Sequence, residues 1–175
     1  MKICSIKQEF YDLFDNSVEL EKNPKRPCLI IVKLKYKGTD CNFAIPFRSN
    51  INGKANRKQY FPLPPRSTTK SGNKHGLHYI KMFPIKDQYI NKYYFETEEN
   101  KHIVNKVQKN LNLIISEAQQ YIKDYENGTR HNYCTNIDVI FNEIYDTDDK
   151  QEVASDIDIK SKVTVNKEKS EISVT

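Results

Sequence analysis

The 175-residue sequence predicts an α+β fold: a compact antiparallel sheet with one long helix and several shorter helices packed on it. Three observations carry that expectation. Residues 28–47 alternate apolar and polar side chains around a Gly-Thr-Asp break, the pattern of a β-hairpin. Residues 97–128 switch to helical spacing. Between them lies a stretch too rich in Pro and Gly for long regular elements, with Gly53, Pro62, Pro64, Pro65 and Gly72.

Taken in order, "KICSI" predicts a short strand, and "KQEFYDLFD", with Phe10, Leu13 and Phe14 at helical spacing, a short amphipathic helix. "NSVELEKNPKRP" is a loop punctuated by Pro24 and Pro27. In the hairpin, Lys33, Lys35 and Lys37 at i, i+2 and i+4 project from one strand face, opposite Leu34 and Tyr36. Residues 48–76 read as loop with a short strand at "KQYFPL", and "GLHYIKMFPI" as one further strand. Thr97 is an N-cap candidate and Asn127-Gly128 a stop. The spacing of Val104, Val107, Leu111, Ile114, Ala118, Tyr121 and Tyr125 predicts one continuous helix of roughly 40 Å. Thr135 and Asp138 suggest a capping box for a last helix in "TNIDVIFNEIY". These elements define a domain over residues 1–145. Residues 146–175 form an acidic tail that reads equally as an edge hairpin or as disorder.

No apolar run approaches the ~18 residues of a membrane helix, and the N-terminus lacks a signal-peptide core, so a cytoplasmic protein is expected. Cys4, Cys28, Cys41 and Cys134 show no C-x-x-C spacing, and the histidines fall at no zinc-finger interval from them, so reduced thiols and no metal are expected. The "NGT" at Asn127 is a formal glycosylation sequon, read without secretion as a turn.

Charge is the informative property. The tail carries −3 of the overall +5, leaving +8 on residues 1–145, and residues 22–86 hold fifteen Lys/Arg against the single acid Asp40. Ordinary surfaces intersperse both signs. A one-sign field of this density attracts phosphate backbones, making nucleic acid the expected partner class, with no membrane. Phosphate-loop and dinucleotide glycine motifs, a G-x-S-x-G elbow, and clustered carboxylates for two metal ions are all missing from the basic region.

A metal-free reaction on RNA fits what remains, because RNA carries its own 2′-OH nucleophile; no DNA partner is expected. Arg48 can fork onto a phosphate, and Ser49 can donate to a non-bridging oxygen or position the 2′-OH. Lys54 serves as acid or base where neighbouring cations favour its neutral form, and His75 and His78 are alternatives for proton transfer. Lys25, Arg26, Lys33, Lys35, Asn50, Arg57, Lys58, Arg66 and His75 are candidate RNA contacts. Tyr60 is a candidate base-stacking platform. Ser49 and Asn50 are equally ordinary turn residues, and the tyrosines equally core. A non-catalytic RNA-binding module with the same groove is the alternative.

"NFAIPFRSNI", after "LIIVKLKYKG" and before "GLHYIKMFPI", resembles the ToxN/AbiQ/TenpN family, the endoribonuclease toxins of type III toxin–antitoxin systems. The resemblance runs over Pro46-Phe47-Arg48-Ser49, the loop from Asn50 to His75, and Gly76-Leu77 through Pro84-Ile85. It implies a highly twisted, partly barrel-like Kid/MazF sheet. It also implies metal-independent cleavage of adenine-rich RNA to 2′,3′-cyclic phosphate and 5′-hydroxyl ends, with no cofactor. The antitoxin it implies is a repeat RNA folded as pseudoknots, processed by the toxin and retained in a closed ring of alternating protein and RNA. Phage defence and plasmid maintenance are the implied roles. Ser49 matches the family's active-site serine and Arg48 its preceding polar residue. Lys54 is the nearest match to a loop lysine that relatives place where this chain has Ile51, and Lys25 or Arg26 matches a groove-lining base.

Overall fold

The computed structural model describes residues 2–14, 18–92 and 97–145. Residues 1–140 form one compact unit; a second unit begins at Phe141. In the second unit, residues 141–145 are helical, and the Phe141 and Tyr145 rings stack 5.0 Å apart. The acidic tail expected over 146–175 lies outside the described residues.

The first unit is built on a seven-stranded sheet, antiparallel throughout. Its strands are β1 (Lys2–Ile6), β2 (Cys28–Tyr36), β3 (Thr39–Ile51), β4 (Tyr60–Leu63), β5 (Lys74–His78), β6 (Phe83–Ile85) and β7 (Ile90–Lys92). The order is β4-β5-β3-β2-β1-β7, with β6 also on β3. Among the described residues the two ends of that path do not pair, so the sheet is open. No described helix is long and apolar enough to cross a membrane.

The β2–β3 hairpin closes one step earlier than its composition suggests. Lys37 (φ 49°) and Gly38 (φ 78°) make the two-residue turn, and Tyr36 pairs with Thr39. Both turn residues are left-handed, which matches the twist of the flanking strands. The lysine alternation is also not one unbroken period. The register shifts between Ile31 and Leu34, where Lys33 adopts φ 59°; Lys33, Lys35 and Lys37 all remain exposed.

"GLHYIKMFPI", read as one strand, is two. β5 pairs with the second half of β3 (Phe47 with Leu77), while β6 pairs with the first half (Ala44 with Phe83). A 3-10 turn at Tyr79–Lys81 carries the chain between them. β3 itself runs to Ile51, so Arg48 and Ser49 lie within a strand rather than at its end.

Helix α1 (Gln8–Asp12) buries Phe10, whose ring stacks on Phe83 at 5.2 Å. The predicted single long helix is interrupted. A 3-10 turn at Glu98–Asn100 leads into α2 (Lys101–Lys109), and α3 (Leu111–Glu126) follows after Asn110. The physical cause is Asn110 itself. Its side-chain amide takes the Lys106 carbonyl at 2.8 Å, and its backbone N–H goes to Val107 instead. Such local side-chain bonds compete with the helical ladder.

α3 packs along β2 through polar clips. Gln119 accepts from the Lys35 N–H (2.8 Å) and donates to its carbonyl (2.9 Å), and Glu126 accepts from the Lys37 N–H (2.6 Å). The last helix, beginning at residue 137, is capped by Asn136, whose Oδ1 accepts from the Val139 N–H, and not by Thr135. Thr135 is buried, with its N–H committed to the Ile80 carbonyl. Asp138 gathers Tyr36 (2.7 Å) and Lys37 (2.9 Å) on one oxygen, and Arg130 (2.6 Å) and Tyr125 (3.3 Å) on the other.

The long basic loop is ordered by close backbone approach. A Cβ on Gly53 would lie 1.9 Å from the Gly72 carbonyl oxygen, so only glycine lets the two arms meet. Asn50 then clips the second arm, donating to the Thr68 carbonyl (3.1 Å) and accepting from the Lys70 N–H (2.8 Å).

Two outcomes follow from these contacts. Burial works to raise the Asp138 pKa, but hydrogen bonds from Lys37 and Tyr36 and the charges of Lys37 and Arg130 outweigh it, leaving it at about 2 against 3.8. Its stabilisation is therefore fully present above about pH 4 and lost as pH falls through about 2. Urea unfolding of wild type and Asp138→Asn should converge by about 1–2 kcal/mol over that window; parallel curves would contradict it. Asn50→Ala should raise hydrogen exchange at the Lys70 amide about tenfold with little change in global stability. Unchanged exchange there would mean that Asn50 is not the clip.

Candidate nucleic-acid interface

The sequence-predicted residues converge at the far end of β3 from the hairpin turn. Pairing runs Arg48 to Gly76 and then Ile51 to Lys74. Two residues of β3, Ser49 and Asn50, therefore stand against one of β5, His75. This is a β-bulge, a device that bends a strand and re-aims its side chains, and it is over-represented beside active sites. The pairing beyond it is tight: a Cβ on Gly76 would meet the Phe61 carbonyl oxygen of β4 at 2.2 Å.

Beside the bulge opens a cleft of about 370 Å³, lined by Asn23, Lys25, Arg26, Pro27, Phe47, Arg48, Ser49, Asn50, Arg66, Thr68 and His75. Three segments build it. The loop before β2 brings Lys25 and Arg26 and is tied to β3 by the Phe47 N–H on the Pro27 carbonyl (3.0 Å). β3 brings Arg48 to Asn50, and the clipped loop brings Arg66 and Thr68. Seven of the predicted residues thus meet in one place: Lys25, Arg26, Arg48, Ser49, Asn50, Arg66 and His75.

Arg48 is half-buried and fixed from two sides. Its Nη2 pairs with Glu21 Oε1 at 2.5 Å, and its Nη1 lies 3.3 Å from His78 Nδ1. Glu21 Oε2 is 3.0 Å from Arg26 Nη1, so one carboxylate bridges both arginines. Burial pushes the Arg48 guanidinium below its usual range, Glu21 opposes that, and Arg26 adds to it; an arginine remains charged throughout. His78 is driven to about 3 by burial, then by Arg48, Lys81 and Arg26. It therefore stays neutral and accepts from Arg48. This makes it an orienting residue and removes it as a proton carrier at ordinary pH.

Thr68 Oγ1 donates to Ser49 Oγ at 3.1 Å, which leaves the serine's own hydrogen for another acceptor. His75 is 2% exposed, and its Nδ1 is 2.6 Å from the Pro64 carbonyl oxygen. Its pKa is lowered by burial, against the Pro64 bond and with help from Arg66 and His102.

The remaining predicted residues lie elsewhere. Lys33 and Lys35 sit toward the hairpin turn, and Lys35 is roughly 20 Å along the strand from the cleft. Lys35 Nζ is paired with Asp40 at 2.6 Å. Arg57 forks onto Glu117 (2.9 and 3.3 Å) and, with Lys58, lines a separate cavity of about 270 Å³ against α3. Lys54 is exposed at a turn made by Asn52 and does not line the cleft. Tyr60 is 4% exposed, with Lys74 Nζ 5.5 Å from its ring centre, so it offers no open stacking face.

Sequence reasoning missed Glu21, Asn23 and Thr68. Glu21 stands one residue before the basic run and looks like part of an ordinary acidic turn. Only the fold brings it to Arg48, and no spacing rule could have linked them.

No protein-family model matches the chain, and no curated protein matches it in sequence. Among solved structures, one described as "A processed non-coding RNA regulates a bacterial antiviral system" superposes with a TM-score of 0.58 at 15% identity. The match covers 80% of this chain and 94% of that one. The chain shares the α+β fold of that structure.

Proposed function

We propose that the chain is a metal-independent endoribonuclease toxin held in check by an RNA antitoxin. The observation that carries this reading is the cleft: Lys25, Arg26, Arg48 and Arg66 surround Ser49 at a strand bulge, with Glu21 the acid bridging two of them. Four cations around one cleft, two of them held by Glu21, suit a phosphodiester, and a serine hydroxyl among them suits its non-bridging oxygen or the adjacent 2′-OH. The likeness to a structure described by a processed non-coding RNA and an antiviral system supports the antitoxin half.

On this reading RNA enters the cleft between the loop before β2 and the clipped basic loop. Arg48 and Arg26 take the scissile phosphate, sharing Glu21 less as they do so. The 2′-oxygen attacks in line, giving a 2′,3′-cyclic phosphate and a 5′-hydroxyl. Lys54 and Lys58, outside the cleft, extend the path of the RNA backbone. Adenine-rich targets, a pseudoknot repeat antitoxin, and a closed ring of alternating protein and RNA belong to the same proposal through the family resemblance. A ring is the closed outcome of a head-to-tail interface.

Incubating the protein with an adenine-rich RNA in excess EDTA should give discrete fragments with those ends. Ser49→Ala should slow cleavage by about 10²–10³ while leaving binding within a few-fold. Arg66→Ala should lower the slope of log affinity against log salt by about 0.7, one single-strand phosphate contact. RNA bound with a steep salt dependence but never cut would favour a non-catalytic RNA-binding module instead.

A further inference from the structure

His75 brings to the cleft lining an imidazole whose tautomer the structure fixes. A carbonyl oxygen only accepts, so the 2.6 Å contact with Pro64 requires a hydrogen on Nδ1. A neutral ring then carries a bare lone pair on Nε2. That atom is buried and has no hydrogen-bond partner. An unsatisfied buried acceptor costs about 1–3 kcal/mol and, in a functional cleft, calls for an explanation. Protonation would be worse, since Nε2 would then bury an N–H with no acceptor. Arg66 from the loop and the His102 ring from α2 disfavour it further. On β3, Arg48 pairs with the next residue, Gly76, and the two bulge residues opposite His75 are uncharged; on β4, its register partner Leu63 is apolar.

We propose that His75, which lines the cleft, is its general base: entry of RNA uncovers the buried Nε2, which takes the proton of the attacking 2′-hydroxyl. The assignment rests on the endoribonuclease reading above and deepens it. The 2′-oxygen forms its bond to phosphorus as its proton passes to Nε2, and the P–O5′ electron pair leaves with the 5′-oxygen. A water molecule protonates that oxygen, and the resulting hydroxide takes the proton back from the imidazolium. Pro64 holds the ring so that the lone pair cannot swap to Nδ1, as backbone carbonyls do for metal-ligating histidines. Ser49 lies at the same step of the ladder, next after the Arg48–Gly76 pair, where its free hydrogen can hold the phosphate. His78 is excluded as base because Arg48 occupies its Nδ1, and Lys54 because it lies outside the cleft.

The test is single-turnover cleavage of an adenine-rich RNA between about pH 5 and 9 for wild type, His75→Asn and His75→Gln. Asparagine keeps a donor for the Pro64 carbonyl and removes the base. The wild-type rate should rise about tenfold per pH unit and level off above the His75 pKa. His75→Asn should lower the plateau by about 10²–10⁴ and lose the acid limb. Its affinity for a 2′-deoxy analogue that cannot be cut should stay within about threefold of wild type. His75→Asn that cuts at the wild-type rate with the acid limb intact would overturn the assignment and leave the endoribonuclease reading standing. A wild type that cuts nothing would overturn both. Should neither variant fold, nitrogen NMR of the wild-type ring decides: the proposal requires a protonated Nδ1 and a bare Nε2 whose titration coincides with the acid limb.

Discussion

Ser49 and Asn50 of β3 stand against the single residue His75 of β5, and the geometry of the cleft follows from that mismatch. In a regular ladder each of these residues would face one partner and continue the sheet. With one residue extra, Asn50 turns outward to clip the 66–73 loop while Ser49 stays on the cleft wall. The flanking pairs cannot relax to absorb the change. Phe47, Ile51 and Leu77 are buried, and Gly76 is pressed against β4. The strand therefore holds the irregularity where a looser edge would anneal it.

Electrostatics depends on the same strand. Arg48 leaves β3 half-buried, where an isolated cation would be costly. Glu21 on one side and the neutral ring of His78 on the other compensate for the lost water. Glu21 also offsets repulsion between Arg26 and Arg48, so two like charges can be held within reach of one ligand group. The basic run of the sequence is thus two populations. Lys35 and Arg57 are committed to Asp40 and Glu117 and serve the fold. Lys25, Arg26, Arg48 and Arg66 are gathered around the serine.

That division explains what the sequence could and could not disclose. The β2–β3 hairpin was legible because one face is buried and period-two alternation follows directly from that. The segment through Ser49 was legible because cations crowd it without acids. The split of "GLHYIKMFPI" was not, since β5 and β6 are both buried and read as one apolar run; what separates them is a turn at Tyr79–Lys81 with no Gly or Pro to mark it. The break at Asn110 was hidden because the apolar stripe continues through it on both sides. Glu21's place, the Arg57–Glu117 pair and the burial of Tyr60 stayed hidden for a common reason. Pairing and burial between residues dozens of positions apart are set by strand order, which one sequence does not display.

The limits of fold likeness sharpen the point. A backbone shared at 15% identity transfers an architecture, and the same architecture can carry unrelated chemistry. What distinguishes a cutting site from a holding site here is orientation within the cleft. Four cations on an unbent strand would still attract an RNA backbone, because that attraction is largely a count of charges. A hydroxyl and an imidazole held at the same step of the ladder are a separate requirement. The register of Phe47 on Leu77 and Arg48 on Gly76 carries on to bring Ser49 to His75, and the Pro64 carbonyl fixes which nitrogen of the ring is bare. On the proposed reading, binding would therefore survive many changes to this surface, whereas cleavage would depend on how Ser49 and His75 are held beside the cations.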